Sequence, residues 1–146
     1  MFKTQLCLIA AALALTGCAA TGPKFAEQQS STPKLSADKG RVYFYRKDSF
    51  VGGGLRPEIR LDGAVVGKSQ PGGYFYVDAT PGSHEAATST EVENKLSFVV
   101  DKGETKYVRT KVSMGVLVGH VTPELVGSAE AQPELSELHY TGGDAK

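Results

Sequence analysis

Beyond residue 18 the 146-residue chain has no cysteine, because Cys7 and Cys18 are its only two. The remaining chain therefore lacks a thiol for a disulfide, a thiolate metal site or a nucleophile, and a folded domain must rest on its core. No apolar run is long enough to cross a bilayer: residues 6–15 form an unbroken stretch of ten, where a span needs roughly 20. Charge of one sign is also missing, with 16 Lys and Arg against 16 Asp and Glu. That balance offers no electrostatic footprint for nucleic acid or for anionic lipid. A Gly-x-Ser-x-Gly nucleophile elbow is absent too, which disfavours a serine hydrolase of that type. No repeat, heptad or second domain is visible.

What the chain does carry begins at its N-terminus. Lys3 gives a positive start, residues 6–15 give an apolar core, and Leu15-Thr16-Gly17-Cys18 closes the segment. This is the build of an export signal. Its last four residues resemble the lipobox of bacterial lipoproteins, which implies a signal peptide over 1–17, cleavage before Cys18 and acylation of that residue. Acyl chains at about 0.8 kcal/mol per buried methylene hold a protein on a membrane durably. Ala19 stands where an inner-membrane retention signal would, by the same resemblance, carry Asp. The expected location is the outer membrane, facing the periplasm.

Residues 18–39 are rich in Thr, Gly, Pro, Lys, Gln and Ser, with Phe25 and Leu35 as the larger apolar residues. Such a composition predicts a flexible, lipidated tether reaching roughly 25 Å. The domain is expected over 40–140, followed by a disordered tail at 141–146.

Gly40-Arg41-Val42-Tyr43-Phe44-Tyr45-Arg46 concentrates β-branched and aromatic residues and predicts a strand. Residues 48–56, with Gly52-Gly53-Gly54, predict a mobile loop rather than a phosphate cradle, since Pro57 and a strand follow instead of a helix. Strands are predicted over 58–61 and 64–67 around Asp62-Gly63, a hairpin signal that needs positive φ. More follow at 74–78, at 84–90 as a weakly hydrophobic edge, at 96–100 and at 105–112. The last is predicted at 116–118 with Val121, running on towards 125–126. Leu135 and Leu138 fall on one helical face, and Pro133 predicts a helix beginning near it and ending at about 140. The expected fold is mainly β: a small antiparallel β-sandwich of about seven or eight strands with a short C-terminal helix.

The order of these pieces resembles DUF2846, a domain of unknown function found in bacterial lipoproteins. The resemblance is carried by the 40–46 strand, Leu61-Asp62-Gly63 with Gly67, Gly73-Tyr74-Phe75, Pro81-Gly82-Ser83-His84, and Gly103 with Tyr107-Val108-Arg109. The segment from Asp62-Gly63 to His84 is also similar to the PEGA motif of transthyretin-like sandwiches, though residues 74–76 form a longer aromatic insert. These resemblances imply a fold and an exported setting, without a catalytic set.

Three histidines are candidates for chemistry. His84 is expected to finish a turn by a structural hydrogen bond, and His139 to face solvent on the terminal helix. His120, beside Gly119, is open between a bulge and a close approach. Glu91 and Glu93 are expected in a solvated connection. Tyr43, Tyr45, Tyr74 and Tyr76 are paired at spacing two, so each pair shares a strand face, beside Arg41 and Arg46. They form either a candidate binding surface, with Arg46, or a second core layer under the C-terminal helix.

The sequence thus points to a non-enzymatic, membrane-anchored envelope lipoprotein acting as a binding or assembly module at the periplasmic face. Its expected contacts are the membrane, through Cys18, and an envelope protein. An envelope glycan- or peptide-binding domain is the alternative, and a hydrolytic enzyme ranks third. No catalytic residue, metal, cofactor or nucleic-acid partner is expected.

Overall fold

The computed structural model describes residues 19–142. The expected signal peptide, the lipidation residue Cys18 and residues 143–146 lie outside the described residues. Among the described residues the fold is a mainly β sandwich of nine strands in two sheets with a short C-terminal helix.

The first strand, β1 (Gly40–Tyr45), is buried at all six positions and forms the middle of a five-stranded sheet. It pairs antiparallel with β4 (Gly73–Ala79) and parallel with β7 (Thr105–Ser113). Outside these lie β8 (His120–Val126), antiparallel to β7, and the two-residue β9 (His139–Tyr140), parallel to β4. This sheet is therefore mixed, where an antiparallel one was expected. The second sheet runs β3 (Ala64–Lys68), β2 (Glu58–Leu61), β5 (Gly82–Ser89) and β6 (Glu93–Val100), all antiparallel.

The period of two sorts β1 into two cores. Val42 and Phe44 enter the space between the sheets with Ile59, Leu61, Phe75, Phe98, Val100 and Val108. Phe44 and Phe75 stack at 5.3 Å. Gly67 leaves room for Phe75, since a Cβ there would stand 2.5 Å from the ring. The opposite face carries Tyr43 and Tyr45 into a second core with Tyr74, Tyr107, Val126, Ala131, Leu135 and Leu138. Helix α2 (Ser128–Ser136) covers this layer together with a first helix, α1 (Phe25–Ser31).

Helix α1 corrects the tether expected over 18–39. Phe25 sits in the second core, edge-on to Tyr43 and Tyr74 at 5.9 and 5.2 Å. The preceding chain is tied down as well. The Ala20 N–H donates to the Pro71 carbonyl, and those of Phe25 and Tyr140 to the carbonyls of Leu138 and Pro23. Composition misled here because one phenylalanine and a run of edge hydrogen bonds suffice to hold a polar segment on an apolar sheet face.

Three further expectations change. Strand β5 is interior, between β2 and β6, rather than an edge; Ala86, fully buried, and Thr88, whose hydroxyl donates to the Val121 carbonyl of the other sheet, suit close sheet packing. Residues 116–118 are not a strand, because pairing of Ser113 with His120 leaves 114–119 as the connection. Helix α2 contains Pro133 in its interior, and burial of Ala131 and Leu135 offsets the missing hydrogen bond. The chain then turns into β9, so His139 belongs to a strand and not to a helix.

If residues 20–31 belong to the domain, Phe25→Ala will lower stability in urea unfolding by roughly 3 kcal/mol. A free tether would leave the midpoint unchanged.

Candidate functional surface

The tyrosines resolve into one of the two roles left open above. Tyr43, Tyr45 and Tyr74 are 6%, 2% and 1% exposed, which removes them as a stacking platform; Tyr76 is half-buried. Tyr43 stacks on Tyr107 at 5.7 Å, while Tyr45 donates to the Glu134 carboxylate at 2.7 Å. Burial, then the Glu134 carboxylate, raises the Tyr45 hydroxyl well above its ordinary pKa. Glu134 also receives Arg109, itself held by Glu124 and Glu130, and Lys47. This network closes α2 over the sheet and leaves Tyr76 under the Arg41 guanidinium, 4.3 Å from its ring centre. Arg41 is fixed in turn by a bidentate pair with Asp78 at 2.6 and 2.9 Å and by the Pro33 carbonyl.

Arg46 does not join an exposed patch. It is 2% exposed and donates to the carbonyls of Leu55, Gly52 and Ser69 at 2.5, 2.7 and 3.2 Å. Burial, with the nearby Arg56 charge, lowers its pKa. The side chain acts as an internal clamp, holding the glycine-containing connection 46–57 to the turn after β3. Beside it a concavity of about 440 Å³ opens between residues 46–51 and 109–112. Its cationic walls are largely engaged already, Arg46 by carbonyls and Arg109 and Lys47 by carboxylates.

His84 fulfils the structural role expected of it. Its two ring nitrogens lie 2.6 Å from Asp62 and 2.7 Å from the Thr80 carbonyl. Burial disfavours the charged ring, but those two bonds outweigh it and raise the pKa. Asp62, at φ 52 in the Asp62-Gly63 turn, also accepts the Glu85 N–H at 2.9 Å. The pair ties the β2–β3 turn to the β4–β5 turn. His139 is half-buried, with Nδ1 2.6 Å from the Gly22 carbonyl, rather than facing solvent.

The group that sequence reasoning missed is Glu91. Instead of a solvated side chain it is a latch: its carboxylate accepts the N–H groups of Val116, Leu117 and Val118 at 2.8, 3.0 and 3.3 Å. His120 Nε2 lies 2.7 Å from the same carboxylate. Three successive amides converging on one anion make a nest, so the connection 114–119 is held with its apolar side chains outward. The Leu117 N–H foremost, with those of Val116 and Val118 and with His120, holds the Glu91 carboxyl down at about 2. The signal in the sequence is the pair Gly115 and Gly119 around three apolar residues, which periodicity alone reads as a strand. No group of three His, Cys, Asp or Glu suited to a metal occurs among the described residues.

Comparison with known proteins finds similarity and is silent on activity. The model of the family described as protein of unknown function (DUF2846) matches residues 36–122. An uncharacterized protein of Haemophilus influenzae is 33% identical over 137 residues, covering 90% of this chain and 80% of that protein. No solved structure matches the chain.

The latch has a defined pH response. Because the folded carboxyl titrates at about 2, below its ordinary 4.5, its contribution is complete above pH 4.5 and lost as pH falls towards 2. Amide exchange at residues 116–118, corrected for intrinsic rate, will therefore accelerate over that acid window. Glu91→Ala will make it fast at every pH; retained protection in that variant would rule the latch out.

Proposed function

Given that this chain belongs to the DUF2846 family, we propose that it is a lipid-anchored envelope protein whose β-sandwich serves as a non-enzymatic assembly module at the periplasmic face of the outer membrane. The observation that carries this reading is the course of the N-terminal segment. The lipobox-like Leu15-Thr16-Gly17-Cys18 ends one residue before Ala19, and Ala20 is buried and bonded to the domain. An acyl group on Cys18 is then separated from the bonded Ala20 by Ala19 alone instead of by a long tether, which limits the orientations the module takes on its membrane.

The use made of the polar side chains supports the non-enzymatic part. His84, His120, Arg41, Arg46 and Arg109 each hold a turn, a loop or a helix. The glycan-binding alternative relied on exposed tyrosine rings beside Arg46, and it loses that support with Tyr43, Tyr45 and Tyr74 in the core. An envelope protein is the partner class retained.

Cys18→Ser will abolish labelling by a fatty-acid analogue and release the protein from the membrane fraction. Unchanged labelling and fractionation in that variant would contradict the anchor.

A further inference from the structure

Large apolar side chains left in water gather at one end of the sandwich. Among the described residues, six of the ten exposed large hydrophobics lie in two connections: Phe50 and Val51 in 46–57, and Met114, Val116, Leu117 and Val118 in 114–119. Strand register places both connections together. Tyr45 lies opposite Tyr74 and Arg109, so 46–57 leaves β1 where β4 begins and where β7 runs on to Ser113. The two connections also touch, since a Cβ on Gly119 would stand 2.7 Å from Leu55. Pro71, whose carbonyl accepts the Ala20 N–H, lies two residues before the start of β4 at that same end. Cys18 is two residues before Ala20 in the sequence.

Scatter does not explain this cluster. Phe50, Met114, Val116 and Leu117 are 102%, 85%, 93% and 90% exposed, more than a lone surface leucine or valine shows elsewhere on this molecule, such as Leu125 at 44%. Nor are these loose tips, because Glu91 fixes 116–118 and Arg46 fixes 46–57. Their side chains are held outward in advance, which lowers the ordering cost of burying them.

We propose that this end of the domain docks on the phospholipid leaflet that carries the anchor, with Phe50, Met114, Val116 and Leu117 entering the boundary between headgroups and acyl chains. The leaflet rests on the lipidation of Cys18 proposed above; the docking is read independently of it. Attachment through Cys18 keeps the tips at high effective concentration beside the membrane, so a modest apolar contact is enough to hold the orientation. The four side chains that enter carry no charge, so the contact they make is apolar.

The test places one thiol in the full-length acylated protein. Leu117→Cys carries an environment-sensitive fluorophore, and Val99→Cys, exposed on β6 beside the opposite turn, serves as reference. On vesicles of phosphatidylethanolamine and phosphatidylglycerol, emission at position 117 will shift to the blue and its aqueous quenching will fall, with position 99 unchanged. Adding Phe50→Ser and Val116→Ser will reverse the shift without moving the folding midpoint, since both side chains are in water. A probe at 117 that stays as quenchable as the one at 99 on membrane-bound protein overturns docking and leaves the anchor intact. Should the protein take up no fatty acid, the anchor reading fails. The same vesicles titrated onto that unacylated protein then decide docking: a blue shift at 117 supports it, and none overturns it. Protection of 117 in intact envelopes but not on protein-free vesicles overturns it in favour of a protein partner.

Discussion

The structure depends on a strand that is buried on both faces. Gly40–Tyr45 cannot leave either side to water, with Val42 and Phe44 on one and Tyr43 and Tyr45 on the other. One sheet facing another satisfies the first set and leaves four tyrosines across three adjacent strands, Tyr43, Tyr45, Tyr74 and Tyr107, in need of a cover. Helix α2 supplies most of it through Ala131 and Leu135, and Phe25 of α1 completes it. The burial of large aromatic surfaces is the main stabilising term here, and the polar ends of the rings are bonded where the cover allows. Tyr43, Tyr45 and Tyr107 meet Gln29, Glu134 and Gln132.

That requirement makes the N-terminal segment structural and thereby gives the molecule two distinct ends. At one, Asp62 and His84 join two turns and Arg41 binds Asp78 and Pro33. At the other, Arg46 and Glu91 organise connections from opposite charge logic. The guanidinium gathers backbone carbonyls, and the carboxylate gathers backbone N–H groups. Both of these charges are met by backbone dipoles, which fixes loop shape as well as position. The N-terminal segment reaches the domain at this second end, where the Ala20 N–H donates to the Pro71 carbonyl.

Much of the fold was legible because strands and tight turns leave local signals. The Arg41-to-Arg46 aromatic run and the Asp62-Gly63 hairpin reappear as placed, whereas Leu135 and Leu138 are both buried but do not share a helical face, because the helix ends at Ser136. What was not legible depends on partners distant in sequence. Nothing local to Phe25 announces Tyr74, and nothing local to Glu91 announces Leu117. The weak hydrophobicity of 84–90 suggests an edge, yet an alanine-rich strand serves equally in an interior where sheets approach closely. For the tyrosines, spacing established a shared face but could not say which layer covered it.

The central claim is that the chain from Ala20 onward is part of the domain, packed on the second core through Phe25 rather than trailing from it. Spin labels on Ser30→Cys and Ser136→Cys, both exposed positions on α1 and α2, test it most directly in the full-length acylated protein. A single narrow distance distribution, unchanged between detergent and vesicles, is the predicted result. A broad distribution extending to longer distances, as for a random-coil tether, would contradict the account.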